Sequence, residues 1–202
     1  GVYIYIARAS MADPIADAHS LLNHLNGRKL EYGIWLDLED KTVDIKGKAY
    51  IRELAYQYAD IFQRAGYFVG IYCNRDWYIR LIHNDLKEDF DFWIARYPKN
   101  DVGAYNPQSS LKPNATMAVA WQYSSKGNVA GIKGNVDLNV DYDGVVNLIA
   151  SSPSRKNIDD IAREVIAGKW GNGTDRRNRL RAAGYNPSII QTRVNNILKK
   201  KK

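Results

Sequence analysis

The chain has 202 residues, contains one cysteine and carries a net charge of +7 at neutral pH. The single cysteine, Cys73, excludes an internal disulfide framework, and no run of about 18 apolar residues is present, so neither a membrane span nor membrane insertion is expected. Residues 1–150 hold 16 basic and 18 acidic residues, a net charge of −2, whereas residues 151–202 hold 13 and 4, a net charge of +9. This asymmetry predicts two domains that meet different partners.

In the first part of the chain, predicted strands alternate with predicted helices. Asp13 and Pro14 are typical of a helix cap and a first helical residue, and Gly66 is typical of a helix end. Alternation of strands and helices predicts parallel strands and therefore an α/β fold. In chain order, the predicted elements are a strand over residues 1–7, a helix over 14–26, a strand over 33–39, a helix over 47–65 and a strand over 67–73.

The pattern changes after residue 73. A short helix is predicted near residues 76–83, and the strand-like runs that follow are separated by loops without a helical pattern. Gly127 and Gly131 to Gly134 predict hairpin turns. The later predicted strands cover residues 92–97, 117–123 and 135–139. Several of them end in polar or aromatic residues, as in parallel barrels, where functional residues gather at the carboxyl ends of strands.

The C-terminal part has a different pattern. The predicted segments are a linker over residues 149–156, a compact three-helix domain over 157–198 and a basic tail over 199–202. Gly168 would end the first of these helices, Thr174 would cap the second and Gly184 would end it. Asn186 and Pro187 would open the third helix.

Two acids follow a buried-strand pattern in the first part of the chain. Residues 33–36 are apolar and suit a strand, and Asp37 and Glu39 come at its carboxyl end. Because strand side chains alternate between faces, these two carboxyl groups should point the same way, about 7 Å apart. Such a pair resists double ionisation, so one member is a candidate to hold a proton near neutral pH. Cleavage of a glycosidic bond needs a pair of this kind, although two acids at a solvent-exposed strand end would give the same pattern.

Five short motifs occur in a fixed order along the chain. They are WLDLE at 35–39, GIYCN at 70–74, WIARY at 93–97, WQY at 121–123 and NVDLN at 135–139. In this order they resemble the glycoside hydrolase family 25 muramidases, the lysozymes of phage endolysins and bacterial autolysins. The resemblance covers residues 1–148. It implies an α/β fold built on an irregular (β/α)5(β)3 barrel. It also implies cleavage, without a cofactor, of the β-1,4 bond between N-acetylmuramic acid and N-acetylglucosamine in bacterial peptidoglycan.

The same resemblance implies roles for individual residues. Glu39 would be the general acid, Asp37 would support the developing positive charge, and Asp137 would shape the pocket and tune its neighbours. The residues expected to line the sugar groove are Tyr72, Arg96, Tyr97, Trp121 and Gln122. Aromatic rings would bind the apolar faces of sugars, whereas the glutamine and the arginine would bind hydroxyl and acetamido groups. Trp93 is expected to pack in the barrel core.

One motif of the family has no counterpart in the chain. The first strand of the family carries an Asp-x-Ser-x-x-Gln-Gly-like motif, and nothing in residues 1–36 matches it. Residues 1–7 would then correspond to the third strand of the family, so the chain is expected to be N-terminally incomplete and its barrel open at one edge. A further polypeptide segment could complete the barrel. The chain alone is therefore expected to clear walls poorly.

The C-terminal part contains three characteristic stretches, which are IDDIAREV at 158–165, GKWGNG at 168–173 and RAAGY at 181–185. Together they resemble the Cpl-7-type cell-wall-binding repeat. The wall-contacting residues that follow from this resemblance are Lys169, Trp170, Gly171, Asn172, Gly173, Arg177 and Tyr185. Trp170 could equally be a core residue that fixes the loop, since tryptophan is usually largely buried. A bacterial or phage product made in the host cytoplasm and acting at the cell wall is expected.

Two other classes of function stay open. A non-catalytic peptidoglycan-binding protein could keep the scaffold without the chemistry, which the missing motif favours and the acid pair Asp37 and Glu39 opposes. The basic three-helix segment could bind nucleic acid as a helix-turn-helix does, but the glycine-rich loop over 168–173 opposes this, so no nucleic-acid partner is expected. No metal site is predicted, because the three histidines lack ligand spacing with Cys73.

Overall fold

The computed structural model describes residues 1–142, 144–151, 156, 158–183 and 185–199. The strands within these ranges are β1 (Val2–Tyr5), β2 (Ile34–Asp37), β3 (Val69–Asn74), β4 (Phe92–Ala95), β5 (Ala120–Gly127) and β6 (Val136–Asp141). The helices are α1 (Arg8–Ala12), α2 (Pro14–Leu25), α3 (Lys41–Asp44), α4 (Gly47–Arg64), α5 (Arg75–Arg80), α6 (Asn84–Asp89), α7 (Val145–Ser151), α8 (Ile158–Ile166), α9 (Gly173–Ala182) and α10 (Pro187–Lys199).

The strands form one sheet in the order β1-β2-β3-β4-β5-β6. Strands β1 to β5 are parallel, and β5 and β6 pair as antiparallel neighbours. Within the described residues, β1 pairs only with β2 and β6 only with β5, so the curled sheet is a half-barrel with two open edges. This confirms the predicted α/β fold, with parallel strands first and an antiparallel end that lacks intervening helices.

Side chains of each strand alternate between a helix-covered outer face and an inner face. On β2, Ile34 and Leu36 belong to the large core beneath the helices, whereas Trp35 packs in a small cluster on the inner face. Helix α4 contacts α2, β2 and β3 on the outer side. Gly70 on β3 makes room for the indole ring, because a Cβ atom there would lie 2.4 Å from Cζ3 of Trp35. The alternation continues to Asp37, which therefore lies on the inner face.

Short helices account for most differences between the predicted and observed elements. Helices α1, α3, α6 and α7 have 4 to 7 residues, too few to show a hydrophobic period in the sequence. They depend on local caps instead, as at α3, where Oδ1 of Asp40 accepts the N–H of Thr42 at 2.8 Å. The strand predicted over 117–123 begins only at Ala120, because two upstream N–H groups bond to the carbonyl of Asn114 in a turn.

Helices α8, α9 and α10 form the predicted three-helix arrangement. Oδ1 of Asn186 accepts the N–H groups of Ser188 and the next residue at 2.9 and 3.1 Å, and so caps α10 as expected. The prediction that Thr174 caps α9 is wrong, because the helix already begins at Gly173 and Asn172 occupies the cap position. The predicted helix end at Gly184, residues 152–155 of the linker and residues 200–202 of the basic tail lie outside the described residues.

The C-terminal helices pack against the half-barrel. Helices α8 and α10 contact α4, and apolar side chains of both parts share one core. Beside this core, the Asp89 side chain is 3% exposed and accepts a hydrogen bond from Nη2 of Arg181 at 2.9 Å. It also accepts bonds from the hydroxyls of Tyr56 at 2.9 Å and Ser188 at 2.8 Å. Because Tyr56 belongs to the half-barrel and the other two donors to the C-terminal helices, this carboxylate joins the two parts.

Asp89→Ala is expected to lower the free energy of unfolding by about 3 kcal/mol, because it leaves three donors without their acceptor. This loss lies at the low end of the range expected for breaking a buried ion pair, because the Arg181 side chain is 32% exposed. Urea unfolding curves measure the change. Asp76→Ala is the matched control, because Asp76 is 67% exposed in its pair with Arg80 and should cost less than about 1 kcal/mol. Equal losses in the two variants would contradict the role of Asp89.

Candidate active site

A cavity of about 470 Å³ opens on the inner face of the sheet. Strand register builds its floor, since Tyr5 on β1 pairs with Asp37 on β2, and Asp37 pairs with Tyr72 on β3. Tyr72 in turn pairs with Trp93 on β4. Paired residues of parallel strands project from the same face, so one row of side chains crosses four strands. The lining residues are Tyr3, Tyr5, Asp37, Glu39, Tyr72, Trp93, Gln122, Asp137 and Asn139.

Asp37 is the buried acid of the cavity. It is 6% exposed, and among the described residues its Oδ1 atom is buried without a hydrogen-bond partner. Burial is the main cause that raises the pKa of Asp37 to about 7, and the negative charge of Glu39 adds to it. This carboxyl group therefore titrates near neutral pH.

Glu39 and Asp137 complete a cluster of three acids. Glu39 is exposed to the cavity, yet the surrounding protein removes part of its hydration and this raises its pKa, with the charge of Asp137 as the second cause. Asp37 and Glu39 thus reach the same cavity from one strand end, and Asp137 reaches it from β6. Three acids of which two have raised pKa values can supply both a proton and a negative charge to one bond.

The loop that carries Glu39 is held on both sides. The N–H of Leu38 donates to the carbonyl of Tyr72 at 2.9 Å. On the other side, the Tyr5 hydroxyl donates to Oδ2 of Asp40 at 2.9 Å, and this bond is the main cause that raises the pKa of Tyr5 to about 12. The first contact fixes the backbone before Glu39 and the second holds the side chain of the residue after it, so the Glu39 carboxyl group is presented to the cavity from a supported position.

Gln122 reaches the cavity from β5. It is 6% exposed, and its Oε1 atom accepts the Tyr72 hydroxyl at 2.8 Å. The Tyr97 hydroxyl donates to the same oxygen. The structure thus brings together three of the five residues expected to line the sugar groove, although Tyr97 supports Gln122 without lining the cavity itself.

The two tryptophans differ in how far they match the places expected of them. Trp93, expected in the core, packs edge to face against Trp35 of the inner-face cluster, and it also lines the cavity, where Nε1 donates to Oδ1 of Asn139 at 3.1 Å. Trp121, expected in the groove, is 2% exposed and donates from Nε1 to the carbonyl of Arg96 at 2.9 Å. Strand register is the reason, because Trp121 pairs with Ile94, which faces the outer core.

Arg96 is also placed away from the cavity. Its Nη1 atom donates to the carbonyls of Ser110 and Leu111 at 3.2 and 3.4 Å, so the guanidinium group holds the loop between β4 and β5. The cavity gains Tyr3, Tyr5 and Asn139 instead, which the sequence reasoning missed. The alternation of residues 1–7, with aromatic rings two positions apart on one face, is the signal that could have found the two tyrosines.

The residues expected to bind the wall do not share one pocket. The rings of Trp170 and Tyr185 meet edge to face with centroids 6.0 Å apart, and Nε1 of Trp170 donates to Glu164 at 3.1 Å. Gly173 and Arg177 line a separate cavity of about 560 Å³ between the C-terminal helices and α6. Lys169 and Asn172 are exposed on the loop between α8 and α9, and Gly171 lies half-buried between them.

Two kinds of feature are absent from the described part of the chain. No group of three or more histidine, cysteine, aspartate or glutamate side chains there could hold a metal ion. No helix in those ranges is long and apolar enough to span a membrane.

Two sequence families match the chain. The profile of the glycosyl hydrolases family 25 matches residues 1–132, and the profile of the CW_7 repeat matches residues 159–198. A lysozyme of Streptococcus phage Cp-7 is 33% identical over 108 residues, which cover 52% of this chain and 28% of that protein. An autolytic lysozyme of Clostridium acetobutylicum is 27% identical over 167 residues, which cover 80% of this chain and 45% of that protein. The chain thus spans less than half the length of these curated relatives.

Solved structures share the fold. The crystal structure of the CTP1L endolysin superposes with a TM-score of 0.56 at 18% identity, covering 94% of this chain and 78% of that one. The virulence factor GHIP, a glycosyl hydrolase 25 of Streptococcus pneumoniae, gives a TM-score of 0.51 at 25% identity, covering 71% of this chain and 59% of that one. The profile of the glycosyl hydrolases family 25 matches residues 1–132, which is well over half of the sequence. The chain therefore belongs to family 25 of the glycosyl hydrolases.

Proposed function

We propose that the chain is a peptidoglycan hydrolase of the muramidase type, which cleaves the β-1,4 bond between N-acetylmuramic acid and N-acetylglucosamine. The observation that carries this proposal is the convergence of Asp37, Glu39 and Asp137 on one cavity. Together with membership of a glycoside hydrolase family, this cluster supports acid-assisted cleavage of a sugar–sugar bond.

The different burial of Asp37, at the end of β2, and Glu39, in the loop after it, supports different roles. Glu39 is open to the cavity and can reach the oxygen of a glycosidic bond, so we assign it the role of proton donor. Asp37 lies deeper, where its ionised form would face the positive charge that develops on the sugar. Because the two groups interact, they titrate as a pair, and burial raises the pKa of both acids.

The cavity wall suits a sugar chain. Tyr3 and Tyr5 are 67% and 46% exposed beside the acids, and Trp93 adds a third aromatic ring. Such rings offer apolar faces for the C–H faces of sugars, while Asn139 and Gln122 offer amide groups for polar substituents. We propose that these residues form the glycan-binding groove.

The open edge of the sheet beside the cavity supports slow turnover. Tyr3 and Tyr5 lie on β1, which has no strand on its other side within the described residues. The rate of glycoside cleavage depends on how precisely the acids are positioned. A displacement of a catalytic group by about 1 Å can lower the rate about 100-fold. We therefore propose that the chain alone hydrolyses walls slowly and that pairing of β1 with a further strand speeds the reaction.

We also propose that residues 157–198 bind the wall as a repeat that follows the hydrolase part. The linker expected over residues 149–156 is too long at its start, because residues 149–151 belong to helix α7. The match to the CW_7 repeat supports wall binding, as does the net charge of +9 over residues 151–202, which attracts anionic walls. Action at the cell wall follows from the two proposals together.

The proposal for the repeat predicts a specific loss of wall binding. Arg177→Ala should weaken binding of the full chain to purified walls about tenfold, because Arg177 is exposed at the cavity of the repeat and can bond to anionic or carbonyl groups there. Arg163→Ala removes the same charge from an exposed site on α8 that does not line this cavity and serves as control. Co-sedimentation with walls measures both. Equal weakening by both variants would show that binding depends on charge alone.

Hydrolysis is tested by release of soluble dye from labelled walls over long incubation. Slow, continuous release above a boiled-protein control is expected. A chain that co-sediments with walls but releases nothing would instead be the non-catalytic wall-binding protein, the second candidate, which the open edge beside β1 favours.

A further inference from the structure

Strand β6 is held from inside the half-barrel rather than by strands on both of its edges. Within the described residues it pairs only with β5. Asp137, Asn139 and Asp141 alternate along β6, so their side chains project from one face, and the first two line the cavity. A strand that is paired on one edge can shift relative to the strands opposite it. The position of Asp137 therefore depends on contacts that cross the inner face.

The buried contact lies just after the end of β6. Val145, the first residue of α7, is 0% exposed and belongs to the inner-face cluster with Trp35 of β2 and Phe68. Oδ1 and Oδ2 of Asp141 accept the N–H groups of Gly144 and Val145 at 3.1 and 3.0 Å, so the start of α7 is fixed to the end of β6. Val145 thus ties β6 to the packing around β2, a strand that is not its neighbour in the sheet.

A second contact holds the middle of β6. Nε1 of Trp93 on β4 donates to Oδ1 of Asn139 at 3.1 Å, past the intervening strand β5. The indole N–H can only donate, so it fixes which end of the Asn139 amide faces Trp93. The other end, Nδ2, donates to the carbonyl of Asp137 at 3.5 Å. This contact is exposed and therefore weaker than the buried one at Val145.

We propose that Val145 is a positioning residue, which holds β6 against the inner face of the half-barrel and so sets the distance between Asp137 and Glu39, with Asn139 assisting it. The inference rests on the proposed function, which makes Glu39 the proton donor. It adds a residue outside the cavity that controls the charge beside this donor. A negative charge at Asp137 favours the protonated form of Glu39, and this effect weakens as the two groups move apart.

The electrostatic coupling between Glu39 and Asp137 tests the proposal without requiring hydrolysis. The Glu39 carboxyl carbon of the full chain is titrated by ¹³C NMR and assigned by its loss in Glu39→Gln. All proteins carry Asp37→Asn, so that Glu39 titrates without its coupled neighbour. Asp137→Asn should lower the pKa of Glu39, because it removes a charge that raises this pKa. With Val145→Ala added, that fall should shrink by about half or more, because β6 is then free to move away.

Val69→Ala is the matched control, because Val69 is 3% exposed but belongs to the outer core beneath the helices. It loses the same atoms as Val145→Ala, yet Asp137→Asn should keep its full effect on the Glu39 pKa. Trp93→Phe keeps an aromatic ring and removes the donor to Asn139, so it should reduce the effect as well, though less. This variant decides the test if Val145→Ala does not fold.

Three results would overturn the proposal. They are an unchanged effect of Asp137→Asn in folded Val145→Ala, an equal reduction in Val69→Ala, and no effect of Asp137→Asn on the Glu39 pKa in the first place. Failure of this inference is distinguishable from failure of the proposed function. Wall hydrolysis that depends on Glu39 with the coupling intact in Val145→Ala removes only this inference, whereas loss of the coupling in a chain that does not hydrolyse walls removes only the enzymatic proposal.

Discussion

Glu39→Gln is expected to lower the rate of wall hydrolysis by about 10²–10⁴-fold, the usual contribution of a general acid. The substitution keeps the size of the side chain and removes its proton. The fold should be unchanged, because Glu39 is exposed to the cavity and is held by backbone contacts of its neighbours rather than by its own carboxyl group. Dye release from labelled walls gives the rate, and a thermal unfolding curve checks the fold.

Glu31→Gln is the matched control for this experiment, since Glu31 is exposed in the loop before β2 and does not line the cavity. It should hydrolyse walls at the rate of the unaltered chain. Hydrolysis by Glu39→Gln within about threefold of that rate would remove Glu39 from the role of proton donor.

Asp37→Asn is expected to slow hydrolysis about 100-fold and, at the same time, to stabilise the protein above pH 7. The pKa of Asp37 is raised from its ordinary 3.8 to about 7 in the folded protein. A raised pKa means that the folded state binds the proton more tightly than the unfolded state does. The stability that this proton contributes is complete below about pH 4 and is lost as the pH rises to about 7. Above that pH, the buried carboxylate costs about 4 kcal/mol, which the neutral asparagine avoids.

Urea unfolding of the unaltered chain and of Asp37→Asn at pH 4 and at pH 8 measures this cost. The two proteins should differ little at pH 4, and the variant should be the more stable one at pH 8. Asp160→Asn serves as control, because Asp160 is exposed on α8 in a surface pair with Arg163. A stability difference for Asp37→Asn that is the same at both pH values would contradict the raised pKa.

The sequence predicted the sheet and the position of the acids because both depend on local patterns. Asp37 and Glu39 follow an apolar strand, and alternation alone places both on the inner face. The tryptophans could not be placed in this way. Whether Trp93 or Trp121 faces the cavity depends on which residue each one opposes in the neighbouring strand, and this pairing is a long-range property.

The electrostatics of the site also needed the structure. Spacing along the strand predicted that the two acids would retain a proton, but it did not give the main physical cause. That cause is burial, because Asp37 is 6% exposed and desolvation is the largest contribution to the raised pKa of both acids. The contact between Asp89 and Arg181 could not be predicted from the sequence either, because it joins residues 92 positions apart.

The identity of the new sugar ends in a wall digest tests the central claim most directly. Purified peptidoglycan is incubated with the full chain, reduced with borohydride and analysed by mass spectrometry. A muramidase leaves N-acetylmuramic acid at each new reducing end, so reduced N-acetylmuramic acid should accumulate slowly with the unaltered chain and be absent with Glu39→Gln. Reducing ends of N-acetylglucosamine, or release of the same ends by the Glu39→Gln variant, would contradict the assignment of this cavity to muramidase chemistry.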